Sequence, residues 1–223
     1  YIHFLRGYAY YHILMTCGPA ILVGDEIFES NLDGPAYNTY RATYDETVEY
    51  ICSELETAAA YLPLKASIAQ FERPTKGAAY ALIARLRLHA ASPLFNGTST
   101  ARLYFGNWKR TYDKAYYINQ NYSEEKWALA AAACKRVIDM NVYELFTVSK
   151  DQNTPQLPAG VPTENFPNGA GGIDPFKSYS HMFTGDEPFK NNNEVIWGRI
   201  SEEVKGYTQQ SFPQYMGGYN GMG

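Results

Sequence analysis

RPTKGAAYALIARLRLHAASPLFNG, Arg73 to Gly97, is the stretch that decides the fold. Thr75 has the short hydroxyl side chain that caps a helix start, and Pro93 cannot donate the amide that a continuing helix needs. The pair brackets a helix from Lys76 to about Ser92. Ala78, Ala79, Ala81, Ala84, Ala90 and Ala91 are spread around it, while Leu82, Ile83, Leu86 and Leu88 supply bulk. Small residues on several sides let neighbours approach closely, so this helix is expected to be central.

Working outward, Phe4, Tyr8, Tyr11 and Met15 recur at helical spacing and Gly18-Pro19 ends the pattern, which predicts a first helix over residues 1 to 16. Ala20 to Arg41, with Asp33-Gly34-Pro35, reads as a surface connector of turns. Thr43 and Glu46 form a capping box, and Val48, Ile51, Leu55, Ala58 and Leu62 line one face of a helix that stops at Pro63. The helices 43 to 62 and 75 to 92 then make an antiparallel hairpin, the unit of tetratricopeptide-like solenoids. Ser123 is placed to cap a further helix with Glu124 and Glu125 in its first turn, and Trp127, Ala131, Cys134 and Ile138 share one stripe. Residues 150 to 193 are rich in Pro, Gly and Asn and show little helical periodicity. Glu194 to Ile200, EVIWGRI, alternates as a strand would, with Trp197 read as a packing residue. The fold class is therefore mainly α, with tetratricopeptide-like hairpins, long irregular loops and little strand.

These stretches also carry a family resemblance. Arg73 to Gly97, with ALIARLRLHAASPLFNG, resembles the helix and following loop of the SusD/RagB family of nutrient-capturing surface lipoproteins. FLRGYAYY (Phe4 to Tyr11) followed by CGPAILV (Cys17 to Val23), WALAAAACKRVIDMNVYEL (Trp127 to Leu145) and NNNEVIWGR (Asn191 to Arg199) agree in order and spacing, with Gly7 standing where Ala is usual. The resemblance implies a SusD-like helical fold on the outer face of a Gram-negative outer membrane. It implies a lipid anchor at an amino terminus preceding Tyr1, a SusC-like TonB-dependent transporter as partner, and glycan as ligand. On that reading residues 1 to 223 are an internal piece of one longer SusD-like domain, with a helical scaffold over about 1–145, an insertion at 94–122 and a loop-rich region over about 146–223. Some family members capture peptides, and the sequence leaves that alternative open.

Composition narrows the function from another direction. The chain of 223 residues has a net charge of -4 with its charges interspersed, so no basic stripe neutralises phosphates and nucleic acid is not expected as a partner. No apolar run approaches the roughly 20 residues that span a bilayer. Tyrosine is the outlier: 20 residues, against 3 Trp and 11 Phe, which suits both helix packing and wet recognition surfaces. Cys17, Cys52 and Cys134 form no CxxC, and Cys52 and Cys134 fall on apolar helix faces, where small buried hydrophobes are expected.

The insertion LFNGTSTARLYFGNWKRTYDKAYYINQNY, Leu94 to Tyr122, interleaves rings with amides and cations. Sugars present apolar CH faces and a rim of hydroxyls, so a site for them combines an aromatic platform with hydrogen-bonding side chains. Trp108, Tyr104, Tyr112, Asn107 and Arg110 are the candidate ligand residues, with Tyr215 and Tyr219 of the glycine-rich tail as further candidates. The competing reading is that the rings staple a long loop to the helices beneath it, because ordering such a loop costs much entropy. His3, His12, His89 and His181 show no metal-ligand spacing, and no GxSxG, phosphate-binding or dinucleotide fingerprint is present. No cofactor is expected, with a structural ion left open, and the chain is read as a non-enzyme. Adjacent acids such as Glu124-Glu125 leave an all-helical glycosidase as the last alternative, since glycosidases need two carboxyl groups across a bond. A protein-interaction scaffold is the alternative from another class.

Overall fold

The structure, a computed structural model, describes residues 1–31, 33–37, 39–67, 70–184 and 192–198. Among the described residues six α-helices follow in order: α1 (Ile2–Cys17), α2 (Tyr44–Tyr61), α3 (Lys76–Ala91), α4 (Ser99–Phe105), α5 (Glu124–Ile138) and α6 (Pro175–Thr184). α1 packs on α2, α2 on α3 and α3 on α5, so α3 sits between two neighbours. The core runs through this series: Phe4 and Leu14 of α1, Tyr44, Ile51 and Leu55 of α2, and Ala79, Ile83 and Leu86 of α3.

The local signals explain where the helices begin. Thr43 accepts the Glu46 amide while Glu46 accepts the Thr43 amide at 2.6 Å, completing the expected capping box of α2. Thr75 accepts the Ala78 amide and Ser92 caps the far end of α3, as its flanks predict. Gly18 at φ 77 ends α1. Gly7 and Gly77 set close approaches at helix contacts. A Cβ on Gly7 would meet Leu55 at 2.9 Å, and one on Gly77 would meet the Tyr143 hydroxyl at 1.9 Å. The chain beyond α5 therefore returns to lie on the first turn of α3.

Several expectations are corrected. Ser123 makes no side-chain cap to α5. Its amide instead donates to Asn96 Oδ1 at 2.9 Å and its carbonyl accepts from Asn96 Nδ2 at 2.9 Å. Helix α5 ends at Ile138, and Asn141 at φ 51 follows, so the helical pattern does not continue to Leu145. Its inward face carries Lys126, Ala130, Ala133 and Val137; the stripe of Trp127, Ala131, Cys134 and Ile138 is exposed. Cys134 is thus a surface thiol, whereas Cys52 is buried as expected and burial pushes its thiol up to about 12. Helix α6 lies inside the segment read as irregular. Asp174 receives the Lys177 amide at 2.9 Å and Pro175 occupies the first helical position, the arrangement that starts a helix, and Phe176, Tyr179 and Met182 then recur at helical spacing. Within the described residues 194–198 there is no strand, and no partner strand lies beside them among the described residues. Trp197 packs edge-on against Phe4 and Tyr8 at 5.1 and 5.3 Å, and its indole N–H donates to the Glu72 carbonyl at 2.8 Å. Its packing role is as expected.

Asn96 is fully buried and also donates to the Ala91 carbonyl at 3.3 Å. Truncation would orphan the Ser123 backbone groups in a partly buried site, at about 1–3 kcal/mol for each buried group left without a partner. Asn96→Ala is expected to lower unfolding stability by about 2 kcal/mol in denaturant titration; a loss smaller than about 0.5 kcal/mol would show that the bridge is dispensable.

Candidate functional site

The insertion between α3 and α5 is built on a clasp at its base. Gly97, at φ 58, lies so close to the returning chain that a Cβ would fall 2.1 Å from the Asn121 carbonyl carbon. With Asn96 holding Ser123, both ends of the insertion are fixed at one point. Above the clasp Thr98 caps α4, and the chain then turns back on itself. Arg110 donates its amide to Ala115, Tyr117 donates to Trp108, and Lys109 pairs with Tyr116 in an antiparallel bridge. Tyr44, the first residue of α2, donates its amide to the Tyr117 carbonyl at 2.8 Å, which ties this hairpin to the scaffold.

Rings extend the attachment. Tyr44 stacks on Phe95 at 4.5 Å and 7°, Phe95 lies 6.2 Å from Phe105, Phe105 lies 6.2 Å from Trp108, and Trp108 lies 4.6 Å from Tyr117. This ladder runs from the buried core to the surface, so the stapling reading describes Phe95, Phe105 and Tyr117. Trp108 ends in both roles: its indole is held between Phe105 and Tyr117, and 37% of the residue is exposed. Tyr104 and Tyr112 stand outward at 69% and 55% exposure, and Tyr112 lies 4.4 Å from the exposed ring of Tyr40 in the connector after α1. Asn107 is exposed beside Trp108.

Arg110 lies beneath these rings. Its Nη1 and Nη2 donate to the Glu46 carboxylate at 2.7 and 3.2 Å, while its Nε and Nη2 donate to Asp113 at 3.2 and 2.7 Å. The guanidinium carbon is 5.2 Å from the Tyr112 ring centroid. With its donors committed and only 8% of the residue exposed, Arg110 positions the hairpin. Hydrogen bonding from Arg110 holds the Asp113 carboxyl below its usual range. Burial pushes the Glu46 carboxyl up, but the Thr43 amide and Arg110 outweigh it and leave the group below its ordinary value.

The structure thus brings Trp108, Asn107, Arg110 and Tyr112 onto one hairpin and places Tyr104 on the neighbouring helix α4. Tyr215 and Tyr219 lie outside the described residues. Sequence reasoning missed Tyr40, Glu46 and Asp113 as parts of this surface. Glu46 was visible only as a helix cap, and nothing local to Tyr40 signals its distant ring partner. Among the described residues no group of three or more His, Cys, Asp or Glu is placed to hold a metal, and no helix is long and apolar enough to cross a membrane.

The helical hairpins thus present a braced surface of rings and amides. Residues 2–88 match the family model SusD-like_3, described as starch-binding and associating with the outer membrane. The chain is similar to the solved structure of BT4246, with a TM-score of 0.66 and 25% identity over 90% of this chain and 34% of that one. It is similar to the selenomethionine form of BT4246, at a TM-score of 0.62 and 24% identity over 90% of this chain and 33% of that one. The fold is also shared with a SusD-like protein, BF3747, from Bacteroides fragilis NCTC 9343, at a TM-score of 0.55 and 19% identity over 92% of this chain and 27% of that one. No curated protein matches. The match over residues 2–88 agrees with the SusD-like sequence resemblance, and these neighbours share the helical fold. It spans about a third of the length of BT4246.

The knot around Arg110 has a pH signature. Glu46 and Asp113 both have folded values below their ordinary ones, so their contribution to stability is fully present above the ordinary carboxylate range near about 4 and is lost as pH falls through the folded values. Arg110→Ala is expected to lower Tm by a few degrees at neutral pH, and that gap is expected to shrink as pH is taken towards 3 in melting experiments. A gap independent of pH would rule out the carboxylates as its source.

Proposed function

We propose that this chain is part of a cell-surface glycan-binding protein that delivers oligosaccharide to a SusC-like TonB-dependent transporter in the outer membrane. The observation that carries the reading is the braced insertion: exposed Tyr104, Tyr112 and half-exposed Trp108 stand beside Asn107 on a hairpin whose backbone is fixed before any ligand arrives. A preformed platform does not have to be ordered on binding, so ring stacking and amide hydrogen bonds convert into affinity with less loss. Arg110 contributes by holding the hairpin against Glu46. Tyr215 and Tyr219 complete the proposed ligand set from the tail.

The family description, starch-binding and associating with the outer membrane, supports this reading. Residues 1 to 223 are then a piece of one SusD-like domain, and the protein is held at the cell surface by a lipid on an amino-terminal cysteine outside this chain. Capture needs no catalytic pair and no cofactor. A protein-interaction role is a second reading, favoured by a different surface. An apolar groove of about 1030 Å³ lies between α1 and α3, lined by Tyr8, Tyr11, Met15, Leu82 and Leu88 together with Trp197. Exposed apolar surface of this kind is a feature of protein–protein contact sites.

A glycan array of plant, host and bacterial polysaccharides, followed by calorimetry on the best binder, tests the function. Saturable binding to one glycan class is expected, weakened about tenfold or more in Trp108→Ala and Tyr112→Ala. Binding that survives both substitutions would remove the platform from the site. An array without any binder, with binding of peptides instead, would overturn glycan capture in favour of the peptide or scaffold reading, and release of shorter sugars would make the protein an enzyme.

A further inference from the structure

A second feature of the insertion lies away from the rings that drew attention in the sequence. Between the first turn of α2 and the returning segment 116–121 is an open cavity of about 420 Å³, lined by Thr43, Asp45, Tyr116, Asn119, Gln120 and Asn121. A second cavity, of about 270 Å³, continues along α2 past Glu49, Arg87, Lys126 and Leu129. Asp45 and Asn119 line both, so the two are neighbouring compartments with a common wall.

The wall residues are fixed, and each keeps hydrogen-bonding capacity. Asn119 Oδ1 accepts the Asn121 amide at 2.9 Å, which orients the side chain and leaves its NH₂ group to the cavities. Asp45 Oδ1 accepts from Lys126 Nζ at 2.6 Å, and Lys126 Nζ is held in turn by the Phe95 carbonyl at 3.1 Å. The Tyr116 ring is steadied by Lys109 Nζ, 4.3 Å from its centroid, and remains 37% exposed. In the second compartment Arg87 is bound by both oxygens of Glu49. The first compartment therefore offers an aromatic wall, three amides and one carboxylate with no cation in its lining. That chemistry accepts hydroxyl groups, and the cations of the neighbouring compartment are already paired, Lys126 with Asp45 and Arg87 with Glu49, which suits an uncharged chain.

We propose that these compartments are consecutive subsites for a neutral glycan chain, with Asn119 and Asp45 reaching the hydroxyls of two adjacent sugar units across their shared wall. The inference rests on the glycan-capture reading and deepens it: the ligand is an uncharged oligosaccharide of at least two units, engaged by Tyr116 and Asn119 as well as by the Trp108 platform. Asn119→Asp is the informative variant, because it keeps the oxygen that accepts the Asn121 amide and replaces the outward donor with a negatively charged acceptor. Tyr116→Ala removes the wall.

The test starts from an array holding neutral glycans, maltoheptaose among them, beside polyuronates and sulfated polysaccharides. The best neutral binder is then titrated as monosaccharide, disaccharide and longer oligomers into wild type, Asn119→Asp, Tyr116→Ala and Trp108→Ala, with melting curves to verify folding. The expected result is an affinity at least about tenfold higher for the disaccharide than for the monosaccharide, and about tenfold losses in Asn119→Asp and Tyr116→Ala. Equal affinity for monosaccharide and oligomer overturns the paired subsites without any variant. Wild-type binding in Asn119→Asp and Tyr116→Ala, with loss in Trp108→Ala, overturns them and leaves glycan capture standing. Binding confined to polyuronates or sulfated chains overturns the neutral-chain inference, and an array with no binder overturns it together with the function on which it rests.

Discussion

The buried amide of Asn96 is the constraint on which the rest of the structure depends. It sits just past α3 and bonds to Ser123 just before α5, across a separation of 27 residues. Closing such a segment costs chain entropy that grows only slowly with its length, so one well-satisfied contact at the base can sustain a long excursion. The same contact takes the place of a side-chain cap on α5 and starts that helix in contact with α3. Gly97 allows the two strands of chain to meet there, because its positive φ and lack of a side chain permit an approach that no other residue could make. Helix order and insertion geometry are therefore set at a single point.

Above that point, the scaffold and the surface share residues. Glu46 completes the capping box of α2 and also receives Arg110, so the start of the helix and the pose of the hairpin are coupled. Tyr44 is buried in the core, opens the ring ladder and donates its amide to Tyr117. Charge follows the same economy. Arg87 with Glu49 links α3 to α2, Arg136 with Glu56 links α5 to α2, and Lys126 with Asp45 ties α5 to the first turn of α2. Exposed pairs of this kind add little stability alone, and here they chiefly fix the register between helices that alanine allows to come close.

How far the sequence was legible follows from whether the signal was local. Thr43 with Glu46, Thr75, Gly18 and Pro93 act on amides within a turn of themselves, and the helices they mark were readable to within a residue or so. Ser123 misled because its amide partner, Asn96, comes from the other end of the insertion. The face of α5 was misread because an alanine-rich helix packs through Ala130 and Ala133 on two sides of a stripe that its larger residues seemed to define. Helix α6, marked by Asp174-Pro175 and by the spacing of Phe176, Tyr179 and Met182, is short and lies in a stretch whose Pro, Gly and Asn content hides it, and the alternation around Val195 and Trp197 has no neighbouring strand among the described residues. The composition of the candidate surface was visible in the insertion. Its geometry was not, since the division between the laddered rings of Phe95, Phe105 and Tyr117 and the outward Tyr104 and Tyr112 depends on Tyr44, Glu46 and Tyr40, all remote in the chain.

The double anchoring of the insertion, at the Asn96 clasp and at the Tyr44–Tyr117 and Glu46–Arg110 contacts, leaves some of its residues with no structural duty. Leu103 and Tyr104 on the outer side of α4 project from a frame that would stand without them, while Tyr112 at the hairpin end keeps contact with Arg110 and Tyr40. Such a frame behaves as a socket with interchangeable tips. Natural variation or deliberate grafting can change the tips while the helices below inherit none of the disturbance.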